Sequence, residues 1–168
     1  MGGHVGGRGR WRIALALTAA FWVTSTLLPL PGPSAPARGA ASLPGEPAPP
    51  QVVSELRAAL AQAERRFEAK DATGLLAYVS DQYRTGVFTK DVLRSQLVII
   101  FQIYEALDAR VRLEEVRMVG DRAWVYTTGE VSGLLPMLDR WMMLFQWERE
   151  PEVVRQEDGV WRLLGYQQ

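Results

Sequence analysis

The chain of 168 residues predicts a single α+β domain, with helices first and antiparallel strands after them. Three observations carry that prediction. The apolar spacing is three or four residues up to about Tyr104 and two residues after Asp108. Turn signals then recur at Gly120-Asp121 and Asp158-Gly159. The length suits one ordinary core and is short for two.

Residues 1–37 read as an export signal or N-terminal anchor. Arg8, Arg10 and Arg12 form a positive flank, and Ile13 to Leu28 is an uncharged apolar run. That run is long for a secretory core and short for a spanning helix, so both a cleaved signal and an uncleaved anchor stay open. Small residues suited to cleavage stand at Ala35-Pro36-Ala37 and Ala37-Arg38-Gly39. Either option predicts an exported domain: periplasmic, secreted, or anchored on the outer side of the cytoplasmic membrane. Residues 38–50, rich in proline and alanine, are expected to be a disordered linker, with the folded domain covering 51–168.

Val53, Leu56, Leu60, Ala63 and Phe67 make one stripe of a first helix, with Glu55, Gln62, Arg65, Arg66 and Glu68 on its polar side. Asp71 suits the N-cap of a short second helix bearing Leu75, Leu76 and Val79. Thr89 suits the N-cap of a third, through Tyr104, with Asp91 in its first turn. Leu97 to Phe101 is apolar all round, which predicts cover on more than one side.

Among the strands, Ala109, Val111 and Leu113 alternate and then slip phase at Glu114-Glu115, the mark of a β-bulge. "RAWVYTTGEVSG" is the next strand. Arg140 to Glu150, "RWMMLFQWERE", is large and apolar on both faces: Trp141, Met143, Phe145 and Trp147 on one, Met142 and Leu144 on the other. Pro151 argues for an edge position or a bulge. The turn at Asp158-Gly159 sets Gln156 opposite Trp161 and Val154 opposite Leu163.

Composition excludes several chemistries. There is no cysteine, and the one histidine is His4, so the domain has no thiolate, disulfide or imidazole. The first 50 residues hold Arg8, Arg10, Arg12 and Arg38 against Glu46, leaving 15 basic and 18 acidic residues beyond them. A mildly acidic domain gives no footprint for nucleic acid. No cofactor fingerprint or metal-ligand spacing is present. Glu148, Glu150 and Glu152 alternate, a pattern read as a solvated strand end rather than a calcium site.

The segments "ERRFEAKDATGLLAYVSDQYR", "VGDRAWVY" and "EDGVWRLLGYQ" together resemble the nuclear transport factor 2-like superfamily, including its SnoaL-like, polyketide cyclase-like branch. The resemblance covers roughly 51–168. It implies three N-terminal helices packed on a curved antiparallel sheet that forms a cone with a pocket at its open end. Activity is left open, because such folds host isomerases, dehydratases, cyclases and non-catalytic binding domains.

Where the steroid-isomerase-like branch has its general base, "SDQYRTGVF" places Arg84-Thr85, so no base is carried over and Asp81 reads as a helix-terminus residue. The candidates for acid/base work are Tyr126, Glu130 and Tyr83. Phe67, Tyr78, Tyr83, Tyr104, Trp124, Tyr126 and Trp147 are the candidates to line the cone. Met142 and Leu144 are the candidate subunit interface, since a strand apolar on both faces needs cover on both. The expectation is an exported non-catalytic domain that binds a small apolar ligand or a protein partner as a homodimer, touching membrane only through an uncleaved N-terminal segment. The alternative is a small acid/base enzyme for a hydrophobic substrate.

Overall fold

The computed structural model describes residues 44–166; the expected leader therefore lies outside the described residues. In chain order the elements are β1 (Glu46–Pro47), α1 (Pro50–Glu68), α2 (Ala72–Leu76), β2 (Arg84–Thr85), β3 (Phe88–Thr89), α3 (Lys90–Ile103), β4 (Ala106–Val119), β5 (Arg122–Leu135), β6 (Arg140–Glu157) and β7 (Val160–Leu163). Five strands form one antiparallel sheet in the order β1-β4-β5-β6-β7, and β2-β3 is a small separate hairpin. The architecture is α+β, helices against a curved antiparallel sheet.

Helix α1 starts with a proline at its first position, where the missing N–H is not needed. Its Leu56, Ala63 and Phe67 are buried, with Val53 and Leu60 half-buried beside them. Glu55, expected on the solvent side, accepts from Trp161 Nε1 at 2.9 Å. Glu68 accepts from the Ala109 N–H at 3.2 Å and Glu64 from the Val111 N–H at 2.5 Å. Thus the helix satisfies backbone donors on the outer edge of β4 that would otherwise offer a template for another strand. Asp71 caps α2 through a 2.8 Å bond from the Gly74 N–H, and Thr89 caps α3 through one of 3.4 Å from the Val92 N–H.

The sheet bends at bulges. One falls between Leu113 and Glu115, where the phase slip lies. Two more fall in the β5–β6 ladder, between Thr127 and Gly129 and between Val131 and Ser132. Asp158 and Gly159 both take positive φ, 51° and 77°, in a tight hairpin turn that sets Gln156 opposite Trp161 and Val154 opposite Leu163.

The core has two parts. The larger joins Phe67, Leu75, Leu76, Val79, Tyr83, Leu93, Leu97, Ile100, Leu107, Val131 and Trp147. The smaller joins Leu56, Val116, Ala123, Val125 and Trp161 under the first half of α1.

Three expectations are corrected. Glu46 and Pro47, inside the expected linker, pair with Met118 and Arg117 of β4, and the Arg117 guanidinium holds the Gly45 carbonyl at 2.8 Å. The all-round apolar run of α3 is covered on one side only: Leu97 and Ile100 are buried while Val98 and Ile99 are exposed. The face assignment along "RWMMLFQWERE" breaks at Leu144, which has no ladder partner on β5. Phe145 and Trp147 pair with Val131 and Gly129 on the helix-facing side, whereas Met143 pairs with Ser132 and turns away.

Candidate functional site

Alternation along β5 sorts the sequence-predicted residues between two faces. Ala123, Val125, Thr127 and Val131 are buried on the helix-facing side. Trp147 lies over Gly129 on that side; a Cβ there would sit 2.5 Å from Trp147 Cζ2 and 2.6 Å from the Arg110 carbonyl. The Trp147 Nε1 donates to Thr127 Oγ1 at 3.0 Å. Phe67, Tyr83 and Trp147 belong to the larger core, with Tyr78 and Tyr104 packed against it. Phe67 meets Phe101 edge-on at 5.6 Å.

Trp124, Tyr126 and Glu130 take the opposite face. Trp124 packs on Tyr166 with ring centroids 5.7 Å apart, and the Arg149 guanidinium lies 5.6 Å above the Tyr126 ring. Glu130 is half-exposed and paired with Arg110 at 3.6 Å. The structure therefore divides the seven aromatic candidates, and it separates Tyr83 from the Tyr126–Glu130 row. An open groove of about 740 Å³ runs over β4, β5 and β6, lined by Glu64 of α1 and Trp147 as well as by Arg110, Arg112, Glu130 and Glu148. Its charges are of both signs, and Arg110 and Arg112 are tied to Asp108 and Glu114.

A different acid stands in a special environment. Glu152, expected on a solvated strand end, lies opposite Val125 with its Oε2 shielded and unpartnered. Burial, and then the neighbouring Glu150, push its carboxyl well above the usual carboxylate range. The reason is the bulge before it: Arg149 takes a φ of 45°, so Glu148, Glu150 and Glu152 do not form one wet row. Around Glu152 stand two phenols. Burial raises the Tyr83 hydroxyl, which has no well-formed hydrogen bond although Thr85 is close, and Glu152 raises it further. Tyr166 is raised by burial and then by Glu152, and its hydroxyl donates to the Pro151 carbonyl. The unpaired glutamate after a proline on a bulged strand was the only sequence signal for this group. Among the described residues no three histidine, cysteine or acidic side chains converge to hold a metal.

The end of the molecule where α3 meets the β5–β6 hairpin is apolar and open. Tyr104 packs its ring on Gly133, and the Glu105 N–H bonds to the Leu134 carbonyl at 2.8 Å. Beside that junction Met137 is 96 % exposed, Leu138 66 %, Met143 55 %, Ile99 52 % and Trp141 50 %, with Ile103 and Met142 exposed next to them. They do not form one surface: Trp141 and Met143 pair with Leu134 and Ser132 on the outer face, whereas Met142 pairs with Gly133 on the side of Tyr104 and α3. Leu144, the second interface candidate, packs against the larger core instead.

No family model and no curated protein matches the sequence. Solved structures do match. One is a protein of unknown function from Mycobacterium tuberculosis, with TM-score 0.57 and 13% identity over 68% of each chain. A candidate scytalone dehydratase from Novosphingobium aromaticivorans has TM-score 0.54 and 12% identity over 68% of this chain and 80% of its own. A candidate dehydratase of the NTF2-like family from Streptomyces avermitilis has TM-score 0.55 and 15% identity over 69% of this chain and 94% of its own. The chain has the nuclear transport factor 2-like fold. These structural neighbours include candidate dehydratases as well as a protein of unknown function.

Proposed function

We propose that the chain is an exported, non-catalytic domain that binds an apolar partner at the open end between α3 and the β5–β6 hairpin. The apolar end carries this reading: large side chains of α3 and of the β5–β6 hairpin are exposed on both faces of this end of the sheet, where nothing described covers them. In this view the three helices and the sheet form a cone whose interior is closed by side chains such as Phe67, Leu97 and Trp147. The absence of an imidazole from residues 51–168, and the placing of Tyr126 and Glu130 on the face of β5 away from the core that holds Tyr83, support the same reading. Export rests on the Arg8–Arg12 flank and the Ile13–Leu28 run.

Titration of sub-micromolar full chain with 8-anilinonaphthalene-1-sulfonate tests it. Fluorescence enhancement is expected, and Trp141→Glu or Leu138→Glu is expected to remove most of it. Enhancement unchanged in both variants would reject the site.

The second reading, an acid/base enzyme, is favoured by one observation: the shielded Glu152 carboxyl with an unpartnered Tyr83 hydroxyl nearby. A protonated carboxyl is able to donate a proton or hydrogen bond to a hydrophobic substrate. Turnover of a hydrophobic hydroxy or keto compound, lost in both Glu152→Gln and Tyr83→Phe with the fold retained, would establish it.

A further inference from the structure

We propose that the tip of the β5–β6 hairpin inserts into the headgroup boundary of a lipid bilayer. This gives the apolar end a partner and rests on the binding-domain reading of that end. From Leu134 to Met143 the only charged residues are Asp139 and Arg140, and the turn residues Met137 and Leu138 are the most exposed large apolar side chains of this end.

The two-sided exposure selects the occupant. Trp141 and Met143 stand with Leu134 and Ser132 on the outer face, whereas Met142 stands with Gly133 on the α3 side. A rigid partner laid on one face leaves the other wet. A fluid acyl boundary closes round both faces and the tip at once, and flexible methionines adapt to it. The backbone there is suited to losing water. Pro136 has no N–H, the Leu138 N–H donates to the Leu135 carbonyl at 3.2 Å, and Leu134 and Leu135 are laddered to Trp141 and Arg140.

The charges set the depth. Every other arginine of the five-stranded sheet lies within 3.9 Å of a carboxylate, whereas Arg140 has no such partner among the described residues. A free guanidinium beside the exposed Trp141 indole suits the level of lipid phosphates, where amphipathic side chains keep their polar heads. Asp139, exposed in the turn, keeps the insertion shallow and leaves the tip without net charge, so zwitterionic lipid suffices. Reach permits this orientation. Strand β1 pairs with Met118 at the opposite end of the sheet, about 40 Å from the tip along β5. The 15 residues from Pro29 to Leu43 span up to about 50 Å when fully extended, so a chain held by the Ile13–Leu28 run can bring the tip to the same bilayer.

The chain has no cysteine, so Leu138→Cys carrying a nitrobenzoxadiazole dye reports the tip alone, and Asp121→Cys reports the opposite end; both positions are exposed. Each full-length labelled chain is mixed with phosphatidylcholine vesicles containing lipid spin-labelled near the headgroup. The dye at 138 is expected to brighten, shift to the blue and be quenched by the spin label, while the dye at 121 stays in water. Trp141→Glu should cut the ratio of lipid-quenched to water-exposed dye at 138 about tenfold. Equal quenching at 138 and 121, as association through Ile13–Leu28 alone would give, overturns the inference. So does a chain that leaves the vesicles untouched, or a dye at 138 already shielded from iodide before lipid is added, which means that protein covers the tip. In those cases the 8-anilinonaphthalene-1-sulfonate titration separates the two readings: enhancement that still depends on Trp141 or Leu138 leaves the binding domain standing without the lipid, and enhancement independent of both rejects it too.

Discussion

Replacing Glu152 by glutamine keeps its shape and removes its titration. In the folded chain the Glu152 carboxyl is raised by burial and by Glu150, with Tyr83 and Tyr166 as its other titratable neighbours. Two guanidiniums of the same strand are committed elsewhere, Arg149 to Glu115 at 2.5 Å and Arg155 to Glu157 at 2.5 Å. Above the unfolded carboxyl's pKa of about 4.3 the unfolded chain has released the proton that the folded chain still holds. Stability from this group is complete below that pH and is lost as pH rises toward the folded pKa, with a slope of about 1.4 kcal/mol per pH unit. Glu55, Asp81, Glu114 and Glu115, whose carboxyls are lowered chiefly by hydrogen bonds, act in the opposite sense at lower pH. Their contribution is common to both proteins and cancels. Urea unfolding at pH 4.5, 5.5, 6.5 and 7.5 should show the variant gaining on the parent by about that slope from the acid end upward. A constant difference across the series would refute a buried, protonated Glu152.

Gly133→Ala places a Cβ 2.5 Å from Tyr104 Cδ1 and 2.7 Å from its Cγ, atoms that do not swing aside, so a loss of about 1–3 kcal/mol is expected by thermal or urea unfolding. Glu64→Ala leaves the Val111 N–H without its acceptor and should cost about 1–3 kcal/mol, with faster exchange of that amide. Asp71→Ala removes the α2 cap and the 2.8 Å pair with Arg66; about 1 kcal/mol should be lost.

The order of elements was legible because its signals are local. Asp71 and Thr89 announce their caps, Asp158-Gly159 its turn, and the slip at Glu114-Glu115 its bulge. What escaped depends on the partner strand. Nothing in "RWMMLFQWERE" says that Leu144 is skipped by β5, yet that skip sends Met143 outward while Phe145 stays inside. The bulge at Arg149 likewise took Glu152 out of an apparently wet row and shielded its Oε2. For the same reason the site candidates were only partly grouped: Tyr83 and Trp147 share the larger core, but Trp124 and Tyr126 face the other way, against Tyr166 and Arg149. The pairing of Glu46–Pro47 with β4 was hidden because a proline-rich stretch carries no strand signal of its own.

The claim that the apolar end is the binding surface is tested most directly by hydrogen exchange on the full chain, with and without saturating 8-anilinonaphthalene-1-sulfonate. The account predicts slowed exchange confined to residues 98–104 and 134–143. Slowing centred instead on residues 63–67, 75–83 and 93–97, segments that supply the larger core, would contradict it and place the ligand among the core side chains.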